Sequence, residues 1–432
     1  MDYGIKTVQA SEILDSRGNP TLEVEVTTNC GVKSLASVPS GASTGTREAV
    51  ELRDKDTARF GGKGVLRAIN HVNKEIRHAV TGLDCRNQRL IDNTLISLDG
   101  TPNKSKLGAN ATLGVSMAVC RLAANASNLP LYAYIGGAAA TLLPVPCMNI
   151  INGGVHARWQ GADFQEFMIA PQGAPSISEA IRWGSEVYHA LRTVLLERDL
   201  SAGVGDEGGF APAVSSNRQP LELIVQAIQR AGYTPGKDVA ICMDPASSEF
   251  YKDGRYHLRT EGRELTSAEM TEYYATLIDE FPVVLLEDGL AEDDWSGWTL
   301  LQARLGGKVE IVGDDLFVTN IQYIRRGIDE KLANAALIKL NQIGTVSETI
   351  DAVRLCQRNA WGAFVSHRSG ETTDTFIADM TVGLGTGHLK TGAPCRGERV
   401  EKYNQLMRIE RSLGETAVYA GSKAFIASGS PK

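Results

Sequence analysis

Val-Ala-Ile-Cys-Met-Asp (239–244), Val-Val-Leu-Leu-Glu (283–287), Val-Glu-Ile-Val-Gly-Asp (309–314) and Ala-Ala-Leu-Ile-Lys (335–339) share one grammar. Each is a short, largely apolar run that stops on a charged residue. A fifth run, Gly-Ala-Phe-Val-Ser (362–366), stops at His367. From Glu287 to Asp314, to Lys339 and to His367 the intervals are 27, 25 and 28 residues. Each interval holds one strand, one helix and two loops. Apolar runs of this length without alternation are strands buried on both faces. A charge at the C-terminal end of successive parallel strands marks the working face of a (β/α) barrel. Asp244, Glu287, Asp314, Lys339 and His367 are therefore expected to converge on one point.

Working outward, the rest of the chain supplies the helices and a second domain. Ser176-x-x-Glu179, Thr266-x-x-Glu269 and Thr345-x-x-Glu348 are capping boxes that open helices between the strand ends. The helix begun at Ser176 is expected to run to about Asp199. Toward the N-terminus the pattern changes. Leu22, Val24 and Val26 alternate with Glu23 and Glu25 over 21–27, the signature of a half-buried strand. Helical patterns cover 64–80 and 107–126. In the second, Leu107, Ala111, Val115, Ala118 and Leu122 fall on one face. Gly-Gly-Ala-Ala-Ala (136–140) and Leu-Leu-Pro-Val-Pro (142–146) then interrupt the periodicity. The expected organisation is an α/β protein, with an α+β domain over 1–138 and an eight-stranded β/α barrel over 139–432. A chain of 432 residues is long enough for a barrel of roughly 250 residues and a second core. The tail from Ser428 is expected to be disordered.

Composition excludes several classes. The net charge of −7 leaves no electrostatic footprint for nucleic acid. No apolar run is long enough to span a bilayer, and the first residues lack the apolar centre of a signal peptide. Seven cysteines without a Cys-x-x-Cys pair describe neither a disulfide framework nor a zinc knuckle. A cytoplasmic protein with reduced thiols is expected.

The motifs carry the chemistry. One carboxylate after a strand is usually a helix cap; three at equivalent strand ends (Asp244, Glu287, Asp314) form a hard oxygen set suited to Mg²⁺. Lys339, inside an apolar strand end, is either a salt-bridged structural lysine or a general base. A base at neutral pH needs a pKa brought down toward ~7–8 by burial and neighbouring cations. Gly205-Asp-Glu-Gly-Gly209 places Glu207 in a turn that backbone and substrate can approach closely. His367-Arg-Ser-Gly-Glu-Thr372 offers donors for a phosphate, with Arg368 able to use two. Two other matches fail. Gly41-Ala-Ser-Thr-Gly45 fits a nucleophile elbow, but it lacks the preceding buried strand. Gly232 to Asp238 falls short of phosphate-loop spacing.

Taken together, Asp15-Ser-Arg-Gly-Asn-Pro-Thr21, Pro39-Ser-Gly-Ala-Ser-Thr-Gly45, Val204-Gly-Asp-Glu-Gly-Gly209, Ala246-Ser-Ser-Glu-Phe-Tyr251, Val312-Gly-Asp-Asp-Leu-Phe317, Ser366-His-Arg-Ser-Gly-Glu-Thr372, Lys390-Thr-Gly-Ala-Pro394 and Lys402-Tyr-Asn-Gln405 resemble the signatures of the enolase family over nearly the whole chain. The resemblance implies an N-terminal domain capping a barrel with one antiparallel strand, a homodimer or a higher homo-oligomer, and dehydration of 2-phosphoglycerate to phosphoenolpyruvate. It implies two Mg²⁺ ions, the first on Asp244, Glu287 and Asp314, the second arriving with the phosphorylated hydroxy-acid substrate and joined by Ser43. It implies Lys339 as base, Glu207 as acid with Glu166 assisting, and His367 beside them. Arg368 and Ser369 would take the phosphate, Lys390 the carboxylate, and His156 would close over the site. The sequence departs from the family pattern in the loop after His156, which is one residue longer and carries Arg158 and Trp159. It also departs at Thr373, His388 and Gly397. An Arg158 directed at the substrate's phosphoryl end would favour an alternative. That alternative is an enolase-derived paralogue of phosphonate biosynthesis, such as a carboxyphosphonoenolpyruvate synthase.

Overall fold

The computed structural model describes residues 1–41 and 45–425. Ser43 therefore lies outside the described residues. The chain opens with an antiparallel three-stranded sheet of Ile5–Leu14, Pro20–Thr28 and Lys33–Ser37, the middle strand being Pro20–Thr28. In its register Val24 faces Ala10 on one side and Ala36 on the other. Leu22, Val24 and Val26 are buried as their alternation predicts. They pack on the helix Ala109–Ala126. A Cβ on Gly114 would lie 2.7 Å from Val24 Cγ2 and 2.8 Å from Leu22 Cδ1, so the close approach of helix and sheet depends on that glycine.

Of the five apolar positions read as one face, Leu107 lies just ahead of the helix; it and the four on the helix are buried, but so is nearly every other side chain on it. Its far side docks on the barrel. Thr112 Oγ1 donates to the Gly344 carbonyl at 2.9 Å, and Val346 N–H donates to Ser116 Oγ at 2.9 Å. The pattern over 64–80 forms a continuous helical stretch, Leu66–Val80, with a π-helical turn at Val72–Ile76.

Eight strands close the barrel: Val145–Asn152, Glu166–Ala170, Ala240–Asp244, Val283–Glu287, Glu310–Gly313, Ala335–Ile338, Gly362–Ser366 and His388–Lys390. The second runs antiparallel to both neighbours; all other pairings are parallel. Helices follow from the capping residues. Ser176, Thr266 and Thr345 each accept the backbone N–H three residues on, and at Thr266 Glu269 completes the reciprocal box. The first of these helices ends at Glu197.

The barrel is filled, as expected of eight strands. Inward side chains include Cys147, Met168, Cys242, Leu285, Val312, Leu337 and Phe364, with the sulfurs of Cys147 and Cys242 4.0 Å apart. Toward the floor, His388 Nε2 and Glu310 Oε1 meet at 2.7 Å with no solvent exposure. Phe425 from the C-terminal segment packs edge-on against the imidazole. Among the described residues all seven cysteines are free. No described helix is long and apolar enough to cross a membrane.

Candidate active site

The strand ends meet as the sequence predicts. Asp244 and Glu287 close their strands, while Asp314, Lys339 and His367 each stand one residue beyond theirs. Reversal of the second strand brings its first residue, Glu166, to this same end, opposite Asp244 and Asn152. These side chains and the loops above them enclose a chamber of about 30 Å³, lined by Glu166, Glu207, Asp244, Asp314, Lys339, His367, Arg368, Ser369, Lys390 and His156 among others.

Charge explains the arrangement. Lys390 Nζ donates to Asp244 Oδ2 at 2.8 Å and to both Glu287 oxygens at 2.9 Å, and lies 3.2 Å from Glu166 Oε2. Burial opposes its charge, but Asp244, Glu166 and Glu287 outweigh burial and hold the ammonium well above the ordinary lysine pKa. Burial, then the charges of Asp244 and Asp314, push Glu287 the same way, with Lys390 opposing. Lys339 Nζ pairs with Asp314, which also accepts from Gln342 Nε2 at 2.8 Å. Burial pulls Lys339 down; Asp314 more than offsets it, so the ammonium is raised. The sequence argument expected a lowered lysine. Direct pairing with Asp314 is the physical reason this arrangement gives the opposite.

The donor set fits a hard cation. Asp244, Glu287 and Asp314 present only carboxylate oxygens, all three buried. The first two already converge on a single positive nitrogen. A closer-knit acidic group, Asp288, Asp314 and Asp315, stands beside them, and His156, Glu166 and Glu207 form another. Both clusters have atoms spaced to hold a metal.

On the other side of the chamber, Glu207 accepts from Asn149 Nδ2 at 3.1 Å and lies 3.4 Å from His367 Nε2. Arg399 Nη1 donates to His367 Nδ1 at 2.5 Å, which leaves Nε2 to carry the imidazole proton. Burial, with Arg399, brings His367 down to about 4 despite Glu207, so the ring is neutral at pH 7. Burial first, and the Glu207 charge second, drive Glu166 well above the carboxylate range, with Lys390 opposing. Glu207 is shifted the other way: against burial, its contacts with His367, His156 and Arg399 hold it well below the carboxylate range, so Glu166 is the member of the pair that keeps a proton to higher pH.

His156, on a short turn over Gly154–Ala157, has its Nδ1 4.0 Å from an oxygen of each member of that pair. Arg368 lines the chamber and pairs with Glu48 of the N-terminal domain at 2.9 Å. The backbones of Ser40 and Gly370 exchange two hydrogen bonds across the same junction. Arg158 behaves differently from expectation. It is exposed and does not line the chamber, because the chain turns there through left-handed backbone at Arg158 and Trp159, φ 52 and 58.

Sequence reading missed several participants. Asp288 and Asp315 directly follow flagged carboxylates, and the Glu-Asp and Asp-Asp doublets were a usable signal. Asp288 accepts the N–H groups of Asp314 and Asp315 and so sets the strand end. Glu48 and Arg399 reach the site from distant segments with no local signal.

An α/β barrel whose ionisable chamber sits at the strand C-termini, with an α+β domain docked beside it through Glu48 and Ser40, defines a barrel enzyme built for acid–base chemistry. The enolase N-terminal domain family matches residues 5–135, and the enolase C-terminal TIM barrel domain family matches residues 140–428. Full-length relatives agree. The chain is 62% identical over 426 residues to Enolase 2 of Pseudomonas syringae pv. tomato, covering 99% of this chain and 100% of the relative. It is 62% identical over 425 residues to Enolase 2 of Methanospirillum hungatei JF-1, covering 98% and 99%. It is 57% identical over 421 residues to Enolase of Rubrobacter xylanophilus, covering 98% of each. The chain belongs to the enolase family, a family of hydro-lyases.

Proposed function

We propose that this chain dehydrates 2-phosphoglycerate to phosphoenolpyruvate as a Mg²⁺-dependent, cytoplasmic homodimer. The domain division is placed at 138/139. The observation that carries the reading is one chamber, in a chain similar to enolases along its whole length, that holds a buried lysine and, beside His156, two buried carboxyls displaced in opposite directions. Asp244, Glu287 and Asp314, a buried all-oxygen set, would hold the first dication, and Ser43, which lies outside the described residues, is assigned to the second. Bound there, the ions would neutralise these carboxylates and stabilise negative charge developing on the substrate carboxylate.

The chain's own groups divide the remaining work. Lys339, whose ammonium loses its chief support when Asp314 is engaged elsewhere, takes the C2 proton onto Nζ. Arg368 and Ser369 bind the phosphate, with the Arg368 guanidinium steadied by Glu48. Lys390 orients the substrate carboxylate. The Glu166 and Glu207 pair supplies the proton for the departing C3 hydroxyl, which leaves as water. Neutral His367 keeps Glu207 oriented, and His156 covers the pair. Arg158, being exposed, is assigned no substrate contact. Neither its position nor the full-length similarity to enolases favours the phosphonate alternative.

The test is formation of the enol phosphate from 2-phosphoglycerate with and without Mg²⁺, beside exchange of the C2 proton with solvent. Lys339→Ala should abolish both. Glu207→Gln should keep exchange and lose dehydration. Absence of Mg²⁺-dependent turnover by the wild type would overturn the reading.

A further inference from the structure

His156 Nδ1 lies 4.0 Å from an oxygen of each of Glu166 and Glu207, so a substrate that engages that pair must pass the loop that carries this imidazole. The roof over Glu166 and Glu207 is the loop between the first two barrel strands, and its C-terminal foot is fixed. Asn217 Oδ1 accepts the N–H groups of Asp163 and Phe164 at 2.7 and 3.1 Å. Thr260 Oγ1 donates to the Gly161 carbonyl at 2.7 Å. The part left to move is 154–160, which carries His156. That part touches the neighbouring hairpin loop through one contact of a different kind: the Arg259 guanidinium lies over the Trp159 ring, 4.5 Å from its centroid. Trp159 is half-buried against the core while its backbone holds a left-handed conformation unfavourable to a bulky residue. An unfavourable backbone persists where surrounding contacts over-determine it, and here the cation–π pair is the one that can be broken without unfolding the foot.

We infer that Trp159 and Arg259 form a latch that sets how often the His156 loop opens, and that they are positioning residues for His156. The activity arm of this inference rests on the reaction proposed above; the proteolysis arm does not. Arg158, exposed beside the latch, provides a reporter, because trypsin cuts after it only when the loop opens. The experiment measures the rate of cleavage at the 158–159 bond by mass spectrometry, and KM and kcat for 2-phosphoglycerate, in wild type, Trp159→Ala, Trp159→Phe, Arg259→Met, Arg259→Lys and the double variant Trp159→Ala/Arg259→Met.

Trp159→Ala and Arg259→Met should each cleave about fivefold faster and raise KM by about the same factor, within the range of a partly desolvated cation–π pair. kcat should change less than KM. Trp159→Phe and Arg259→Lys, which keep a ring and a cation, should recover most of the effect. The double variant should be no worse than either single one, the mark of a coupled pair. Cleavage unchanged in both single variants, or additive effects in the double variant, would overturn the latch. A wild type inactive on 2-phosphoglycerate but with latch-dependent cleavage would overturn the proposed reaction and leave the latch standing.

Discussion

Replacing Lys390 with Met removes the one positive nitrogen shared by Asp244, Glu287 and Glu166. The wild-type contacts are 2.8, 2.9 and 3.2 Å, and every group is almost fully buried. Removing one partner of a buried ion pair typically costs about 3–5 kcal/mol, because the remaining charge is left in a poor solvent. Here three carboxylates lose a common partner, so the upper half of that range is expected in chelator at neutral pH. Part of the loss should be relieved by proton uptake on Glu287 and Glu166, both already displaced toward the protonated form. The variant should therefore recover stability as pH falls toward 5. Mg²⁺ should also recover stability, and by more than it adds to the wild type, because the ammonium no longer competes for the oxygens of Asp244 and Glu287. A ligand at a hundred times its Kd contributes about 2.7 kcal/mol. The assay is urea unfolding followed by circular dichroism, in chelator and across a Mg²⁺ series, for both proteins. A Lys390→Met protein as stable as wild type in chelator, or one that gains less from Mg²⁺ than wild type does, would refute the reasoning.

Other outcomes follow from the same structure. Asp314→Ala should lose turnover and Mg²⁺-dependent thermal stabilisation together; retention of either by the purified variant separates Asp314 from the metal. Gly114→Val should overpack the junction of helix and sheet and cost at least about 1–3 kcal/mol, read as a lower urea midpoint. Asp379, buried with its carboxyl pushed up to about 6 chiefly by desolvation, binds protons more tightly folded than unfolded. Its contribution to stability is greatest below about pH 4 and is lost as pH rises through 6. Asp379→Asn should then add up to about 3 kcal/mol at pH 7 and little at pH 4, provided the hydrogen bond from Gln405 survives. His388→Gln can still donate to Glu310 and should change stability by under about 1 kcal/mol. His388→Leu removes the donor from a fully buried contact and should cost about 2–3 kcal/mol by chemical denaturation.

The barrel was legible because its strands are buried on both sides and end abruptly. Each run of four or five apolar residues has one meaning in a parallel sheet, and the charge that follows has one place to go. The chemistry of the site was legible at the same positions for the same reason. What escaped was everything set by distance along the chain. Arg399 fixes the His367 tautomer from 32 residues away, and Arg259 covers Trp159 from 100 residues away. Neither pairing has a periodic trace. The helix Ala109–Ala126 was read by one apolar stripe, and its second buried face escaped because it mixes Leu113 and Met117 with Thr112 and Ser116. Lys339 was read as either a salt-bridged lysine or a base, and the folded chain gives it Asp314 as a partner. A strand-end pattern places two side chains at one mouth without saying which of their neighbours each will hold.

The reversed second strand has an evolutionary consequence. Because it pairs directly with the first, the loop between them is a hairpin whose feet are clamped side by side in the barrel wall. Its span cannot change when its length does. Adding one residue to a loop of about a dozen alters the closure entropy by only about 0.1 kcal/mol. An extra residue in the stretch 155–160 therefore adds almost nothing to the cost of closing the hairpin, whereas the foot at Asp163 and Phe164 is held in place. A barrel with a crossover helix at this point would feel such a change in the packing of its outer layer. The hairpin lets the part of the molecule nearest the substrate vary while the wall beneath it stays fixed.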